Sequence, residues 1–312
     1  MDRYCDKGDF RFVYFGTPGV SGDLLHRLIE AGYQVAALVC NPDKPVGRKH
    51  LLCPCPTKAE ACRCGIPVFQ PERIRLDYAF LHSVQADFYL TFSYGQIVPK
   101  EVLEIPPKGC LNLHGSLLPE LRGAAPMQRA IELGLTETGV TLMEMVEKMD
   151  AGRMYAKRSF PILETDNLTD VSAKMAEAAF KCFDENIIPY LNGELPGVEQ
   201  DESQVTFAKK ISKEEEKLDL SLSPKRFADK ARSLSYEPGG YLLLEGRKIK
   251  LLRCLVAPGE SKAMGRLYGE NGRLYLDLAH GRVELLEVQL EGKKPTDGRS
   301  YLLGHHNEAI LS

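Results

Sequence analysis

The strongest constraint on the fold is the alternation of short apolar segments with helical stretches in the first half of the chain. Residues 10–15 form an apolar run that ends at the turn residues 16–19, and a helical stretch follows at 21–30. Further short apolar segments lie at residues 34–40, 65–69, 87–92, 109–113 and 140–145. Strands separated by helical crossovers predict an α/β fold with a mainly parallel sheet and helices on both of its faces.

The pattern changes after residue 190. Residues 191–204 are rich in glycine, proline and acidic side chains, as is typical of a linker. Beyond residue 213 a helical stretch precedes closely spaced β-like runs, which predict a small β-barrel with an OB-like fold as one possibility. We therefore expect an N-terminal domain at 1–190, a linker at 191–212 and a C-terminal domain at 213–312.

Composition narrows the class of protein. The 312 residues are 44% hydrophobic and 27% charged, which is typical of a globular protein rather than a disordered or fibrous one. No stretch reaches the roughly 18 consecutive apolar residues of a membrane helix, and the charged first ten residues do not resemble a secretory signal. We expect a cytoplasmic protein without a membrane partner.

Nine cysteines, an odd number, favour free thiols in a reducing compartment over a disulfide framework. Four of them, Cys53, Cys55, Cys62 and Cys64, are close enough in sequence to suggest zinc. Their spacing differs from the usual metal-binding knuckle, and Pro54 stiffens the first pair. We therefore expect no metal.

The segment around Asn112 and His114 carries the clearest chemical signal. The two residues are two positions apart at the end of a predicted strand, so their side chains lie on the same face. A second predicted strand, at 140–145, leads to Asp150 and would place a carboxylate beside the imidazole. In α/β proteins, ligand-binding and catalytic residues commonly lie at the carboxyl ends of the strands.

These three side chains suit acyl transfer to an amine. The reaction passes through a tetrahedral intermediate, whose negative oxygen can accept hydrogen bonds from an amide and an imidazolium. A carboxylate can stabilise the charged imidazole and help to remove the amine proton. Taken singly, each residue has an ordinary structural interpretation: a hydrogen-bonded histidine, a turn asparagine, and an aspartate that caps a helix or turn.

The same segments resemble a known family. Residues 112–126, 138–143 and 149–152 are similar to the formyltransferases that use 10-formyltetrahydrofolate. The likeness runs nearly end to end and includes residues 15–18, 41–48, 93–99, 207–215, 238–241 and 287–293. It implies a Rossmann-like catalytic domain followed by an OB-like domain that binds tRNA. The implied reaction moves a formyl group from the folate to the α-amino group of methionine on initiator Met-tRNA.

The resemblance also implies roles for individual residues. Asn112, His114 and Asp150 would be catalytic. Contacts to the folate would come from two segments: Ser116, Leu117, Leu118 and Pro119 in one, and Tyr94, Gln96, Ile97 and Val98 in the other. Expected contacts to tRNA phosphates are the basic residues Lys44, Arg48, Lys49, Lys209, Lys210, Arg247 and Lys248. Arg122 would hold the folate segment or contact nucleic acid, and a monomer is the expected form.

Three alternative functions stay open from the sequence. A sugar-nucleotide N-formyltransferase would share the catalytic residues but leave the basic loop near Arg48 without a purpose. A 10-formyltetrahydrofolate hydrolase would use water in place of the amine, and the likeness of the C-terminal part argues against it. A non-catalytic tRNA-binding protein would have no need of Asn112, His114 and Asp150.

Overall fold

The computed structural model of this chain describes residues 3–46, 51–305 and 308–312. These residues form two compact units. The first contains the residues up to Ala124 together with Gly139–Phe160 and Ala173–Ala208, and the second contains Ala125–Thr138, Pro161–Ser172 and Lys209–Ser312. Residues 191–208 of the predicted linker therefore lie in the first unit, and residues 209–212 lie in the second.

The first two thirds of the chain alternate strands and helices. The strands are β1 Arg11–Phe15, β2 Gln34–Val39, β3 Lys44–Val46, β4 Leu51–Cys53, β5 Val68–Phe69, β6 Phe88–Thr91, β7 Cys110–His114, β8 Glu137–Glu144 and β9 Met154–Pro161. The helices are α1 Gly19–Glu30, α2 Pro56–Arg63, α3 Lys100–Leu103, α4 Pro126–Glu132 and α5 Leu168–Leu191.

Seven of these strands form one sheet in the order β5-β2-β1-β6-β7-β8-β9. The first five strands in this order run parallel to one another, and β8 is antiparallel to β7. The prediction of a mainly parallel sheet is confirmed. Strands β3 and β4 pair with each other as a separate antiparallel hairpin.

Aromatic side chains fill the core beside the central strands. Phe12 of β1 stacks on Phe88 of β6 with ring centroids 5.1 Å apart, and Phe183 of α5 lies 5.7 Å from Phe12. All three side chains are fully buried. Strands of a parallel sheet are covered on both faces, which explains why these segments read as continuous apolar runs.

The second unit is built on antiparallel strands. They are β10 Tyr241–Leu244, β11 Arg247–Ala257, β12 Arg266–Glu270, β13 Arg273–Leu278, β14 Gly281–Leu290, β15 Thr296–Asp297 and β16 Ala309–Ile310. Helices α6 Pro224–Ser233 and α7 Gly298–Gly304 accompany them. The main sheet runs β10-β11-β14-β13-β12-β16, and β15 pairs with β14.

The two ends of this sheet meet. Leu243 on β10 exchanges backbone hydrogen bonds with Ser312, at 2.8 and 3.0 Å, so the sheet closes on itself as a nearly complete barrel. Its interior is filled by apolar side chains that include Phe227 of α6, Leu251 and Leu285. The predicted β-barrel is confirmed. No helix among the described residues is long and apolar enough to cross a membrane.

Candidate active site

Strand β7 places Asn112 and His114 at the carboxyl end of the sheet. Asn112 is paired with Thr91 of the parallel strand β6, and His114 is paired with Thr141 of the antiparallel strand β8. Side chains two positions apart on a strand point to the same face. The Asn112 side chain is partly exposed, whereas only 5% of His114 is exposed.

Asp150 reaches this histidine from the turn between β8 and β9. Its Oδ1 lies 3.6 Å from Nδ1 of His114. The backbone of Asp150 has a φ of 51°, a left-handed conformation that is uncommon for a residue with a side chain. Gly152, two residues later, lies so close to the backbone that a Cβ there would overlap the carbonyl oxygen of Glu144. The turn is therefore folded tightly back onto the end of β8.

Three consecutive residues, which we call the 121–123 segment, hold the histidine and the aspartate together. Nε2 of His114 is 2.9 Å from the carbonyl oxygen of Leu121, and the backbone N–H of Gly123 donates to Oδ2 of Asp150 at 2.8 Å. Gly123 has a φ of 122°, and a Cβ there would meet the carbonyl oxygen of Ala208 at 2.7 Å. A side chain at position 123 would therefore push the segment away from both partners.

The carbonyl of Leu121 fixes the tautomer of His114. A carbonyl oxygen only accepts hydrogen bonds, so the neutral ring carries its proton on Nε2. The lone pair is then on Nδ1, the atom nearest to Asp150. At 3.6 Å this pair is longer than an ordinary hydrogen bond. Nδ1 therefore becomes a donor only when the ring takes up a second proton, and a carboxylate lies close enough to stabilise that charged form.

The segment formed by Ser116, Leu117, Leu118 and Pro119 follows His114 and is tied to β8. The hydroxyl of Thr141 donates to the carbonyl oxygen of Ser116 at 2.7 Å and accepts from the backbone N–H of Leu118 at 3.0 Å. Lys157 on β9 donates to the carbonyl oxygen of Leu118. These contacts hold the segment beside the end of β7.

The segment that contains Tyr94, Gln96, Ile97 and Val98 follows β6 and presents its side chains differently. Tyr94 and Val98 are buried, and burial raises the pKa of the Tyr94 hydroxyl well above its usual range. Gln96 donates to Asn41 and Pro71 and is thereby held within the protein. Ile97 is 74% exposed. Of the four residues of this segment that are expected to contact the folate, Ile97 has the side chain that is exposed to solvent.

The expected tRNA contacts fall in both units. Lys44 lies exposed on β3 in the first unit, while Arg48 and Lys49 lie outside the described residues. Lys209, Lys210, Arg247 and Lys248 are exposed in the second unit. The ammonium group of Lys248 lies 3.8 Å from the ring centre of Tyr241.

Sequence reasoning missed Gln200 and left the role of Arg122 undecided. Only 2% of Arg122 is exposed, and its guanidinium donates to Gln200 and Glu202 at 3.0 Å each. This hydrogen bond from Arg122 lowers the pKa of Glu202. The buried position favours a structural role for Arg122 over contact with nucleic acid. Gln200 lies in the segment with linker composition, where nothing in the sequence marks it.

The four clustered cysteines do not gather around a metal position. Cys53 and Cys62 are exposed, Cys55 and Cys64 are partly exposed, and all four are free thiols. Within the described parts of the chain, no group of three or more histidine, cysteine or acidic side chains is arranged to hold a metal ion.

Two sequence models of protein domains match the chain. The one described as "Formyl transferase" matches residues 10–187, and the one described as "Formyl transferase, C-terminal domain" matches residues 210–306. A methionyl-tRNA formyltransferase of Bacillus subtilis is 39% identical over 304 residues, which cover 96% of each protein. One of Halalkalibacterium halodurans is 38% identical over 299 residues, or 94% of each protein.

Solved structures share the fold at low sequence identity. HypX from Aquifex aeolicus, in a complex with tetrahydrofolic acid, superposes with a TM-score of 0.68 and 17% identity over 94% of this chain. The chain spans 47% of the length of HypX. WlaRD, a sugar 3N-formyl transferase, superposes with a TM-score of 0.64 and 15% identity over 91% of this chain and 99% of its own. These similarities show a common fold.

The tight turn at Gly152 gives a prediction for stability. Gly152→Ala would force the turn away from Glu144, and we expect it to lower the free energy of unfolding by about 1–3 kcal/mol, the usual cost of overpacking. Gly19→Ala is the matched control, because no atom lies near the position of its Cβ in helix α1. Urea unfolding of both variants provides the measurement. Equal stabilities of the two variants would contradict the described packing of the turn.

Proposed function

This chain belongs to the formyl transferase family, and we propose that it transfers the formyl group of 10-formyltetrahydrofolate to the α-amino group of methionine on initiator Met-tRNA. The observation that carries the proposal is the match to methionyl-tRNA formyltransferases over 96% of both proteins. The matched region includes the C-terminal domain as well as the strand end with Asn112 and His114. The product, formylmethionyl-tRNA, serves translation initiation.

Asn112 and His114 stabilise the oxygen that becomes negative as the amine attacks. Both extend from the same face of β7, so an oxygen near the strand end is within reach of both an amide N–H and a protonated Nδ1. Preformed donors of this kind cost no reorganisation during the reaction. Nε2 takes no part, because it is held by the carbonyl oxygen of Leu121.

The negative charge of Asp150 balances the positive charge on the His114 ring and on the attacking amine. Its carboxylate would stabilise the imidazolium of His114 from 3.6 Å and accept the proton that the amine loses as it bonds to the formyl carbon. The same proton can then pass to the folate nitrogen, whose bond to the formyl carbon breaks as the tetrahedral intermediate collapses. The hydrogen bond from the N–H of Gly123 fixes Oδ2, which leaves Oδ1 on the side of the histidine. The carboxylate is therefore oriented before the substrate arrives.

The chain offers a suitable place for the folate, which supplies the formyl group when bound. The segments after β6 and β7 leave the same edge of the sheet, because Thr91 pairs with Asn112 in parallel register. Leu117 and Pro119 are partly exposed at this edge, and Ile97 offers an exposed apolar side chain, whereas Ser116 and Leu118 are buried and would contribute through their backbone. Tyr94, Gln96 and Val98 support this edge from within, so the segment would contact the folate through its backbone and Ile97.

Basic side chains would bind the tRNA backbone. We assign this role to Lys44 on β3, to Arg48 and Lys49, which lie outside the described residues, and to Lys209, Lys210, Arg247 and Lys248 in the second unit. Phosphate contacts from lysine and arginine provide affinity that depends on salt. A monomeric enzyme in the cytoplasm, where charged tRNA and folate are present, completes the proposal.

The reaction itself is the first test. Purified protein, 10-formyltetrahydrofolate and initiator Met-tRNA should give formylmethionyl-tRNA, with elongator Met-tRNA and a reaction without tRNA as controls. Folate turnover in the absence of tRNA would favour the hydrolase. Formylation of an amino sugar nucleotide alone would favour that acceptor class, and tRNA binding without turnover would favour a non-catalytic protein.

The role of His114 is tested by His114→Ala. Loss of this donor should lower turnover by about 100- to 1,000-fold, while tRNA affinity stays unchanged because the residue is buried and is not among the proposed phosphate contacts. His82→Ala, at an exposed histidine of the same unit, is the control and should retain full turnover. Near-normal turnover of His114→Ala would refute its assignment as a catalytic residue.

The tRNA contact is tested at an adjacent lysine pair. Replacing Lys209 and Lys210 by alanine should weaken tRNA binding and reduce the slope of log affinity against log salt by about 1.4–1.8, since each lost phosphate contact removes roughly 0.7–0.9. The same double change at Lys293 and Lys294, also exposed in the second unit, is the control. Equal salt slopes for both variants would reject the contact.

A further inference from the structure

Gln200 makes an unusually complete set of contacts for a residue in a segment of linker composition. Only 8% of it is exposed. Its Nε2 donates to the carbonyl oxygens of Asp150 and Gly152, at 2.8 Å each. A side-chain amide has two N–H donors, so both are used on the turn that carries Asp150.

The oxygen of the same amide is also occupied. Nε of Arg122 donates to Oε1 of Gln200 at 3.0 Å. Because carbonyl oxygens only accept and a guanidinium only donates, these partners determine which end of the Gln200 amide is nitrogen. The backbone of Arg122 is in turn bound on both sides, its N–H to Thr206 and its carbonyl to the N–H of Ala208.

The contacts form a closed ring around Asp150. Its carboxylate accepts from the N–H of Gly123, the neighbouring residue Arg122 donates to Gln200, and Gln200 donates to the carbonyl of Asp150. A non-glycine residue with positive φ persists where its surroundings hold it. The ring supplies that support at both the side chain and the main chain of Asp150.

We propose that Gln200 is a positioning residue for formyl transfer: it locks the Asp150 turn through two hydrogen bonds and so sets the distance between this carboxylate and His114. The inference rests on the proposed function for its effect on turnover. Gln200 does not touch the reacting groups and acts through Asp150.

The sharpest variant is Gln200→Glu, which keeps the size and removes both donors. The new carboxylate can still pair with Arg122, while the carbonyls of Asp150 and Gly152 lose their donors and face a negative charge instead. Misplacement of a catalytic group by about 1 Å costs on the order of 100-fold in rate. We expect kcat to fall about 10- to 100-fold, with KM for both substrates within about 3-fold of wild type.

Gln204→Glu is the matched control. Gln204 lies in the same segment, is exposed, and its amide donates to Asp201 at 3.0 Å. The same chemical change there should leave kcat unchanged. If Gln200→Glu does not fold, Gln200→Met, which removes the donors without adding charge, takes its place in every comparison.

A double-mutant comparison separates positioning from general support of the fold. In an Asp150→Asn background, Gln200→Glu should lower kcat further by less than about 2-fold, because residues that act through one group are not additive. An undiminished effect in that background, or an unchanged kcat in the wild-type background, would overturn the inference.

Hydrogen exchange provides a readout that does not depend on turnover. The N–H of Gly123 is protected by Asp150, so this amide should exchange faster in Gln200→Glu and at the wild-type rate in Gln204→Glu. Unchanged exchange would overturn the positioning role even if turnover fell. If the wild-type protein formylates no tRNA, the proposed function fails, and the exchange result still decides whether Gln200 holds the turn.

Discussion

The arrangement of the site depends on the backbone of three consecutive residues. Leu121 has a φ of 57° and Gly123 a φ of 122°, both in the left-handed region. This path turns the carbonyl of Leu121 toward His114 and the N–H of Gly123 toward Asp150. Backbone groups cannot rotate independently as side chains do, so one short segment fixes both the tautomer of the histidine and the orientation of the carboxylate. Reaction chemistry then follows from a geometry that exists before any substrate binds.

The sheet provides the frame for this segment. His114 and Thr141 are register partners on β7 and β8, and the hydroxyl of Thr141 also binds the backbone of Ser116 and Leu118. One strand pair thus supports His114, the proposed catalytic histidine, and the neighbouring segment proposed to bind the folate. Because β6 is parallel to β7, the segment with Ile97 begins at the same edge. The two segments proposed to bind the folate therefore leave the sheet beside His114.

Local pattern predicted six of the seven strands of the first sheet, since alternation of apolar runs and turns reflects short-range chemistry, but it missed β9. It also placed Asn112 and His114 on one face, because two-residue spacing on a strand requires it. It did not reveal Gln200, whose partners Asp150 and Arg122 are 50 and 78 positions away in the chain. Nor did it show that Tyr94 is buried and Gln96 committed to Asn41, because spacing within a loop does not define which side faces the interior.

Residues 191–208 belong to the segment predicted as a linker, yet their hydrogen bonds support the turn that carries Asp150. Gln200 holds the Asp150 turn, while Thr206 and Ala208 form backbone hydrogen bonds with Arg122. The compact unit that contains His114 and Asp150 accordingly continues to Ala208. Polar residues are needed here because buried carbonyls and a buried guanidinium must find hydrogen-bond partners. The polarity that makes this segment look like a linker is therefore what allows it to satisfy the backbone around the carboxylate.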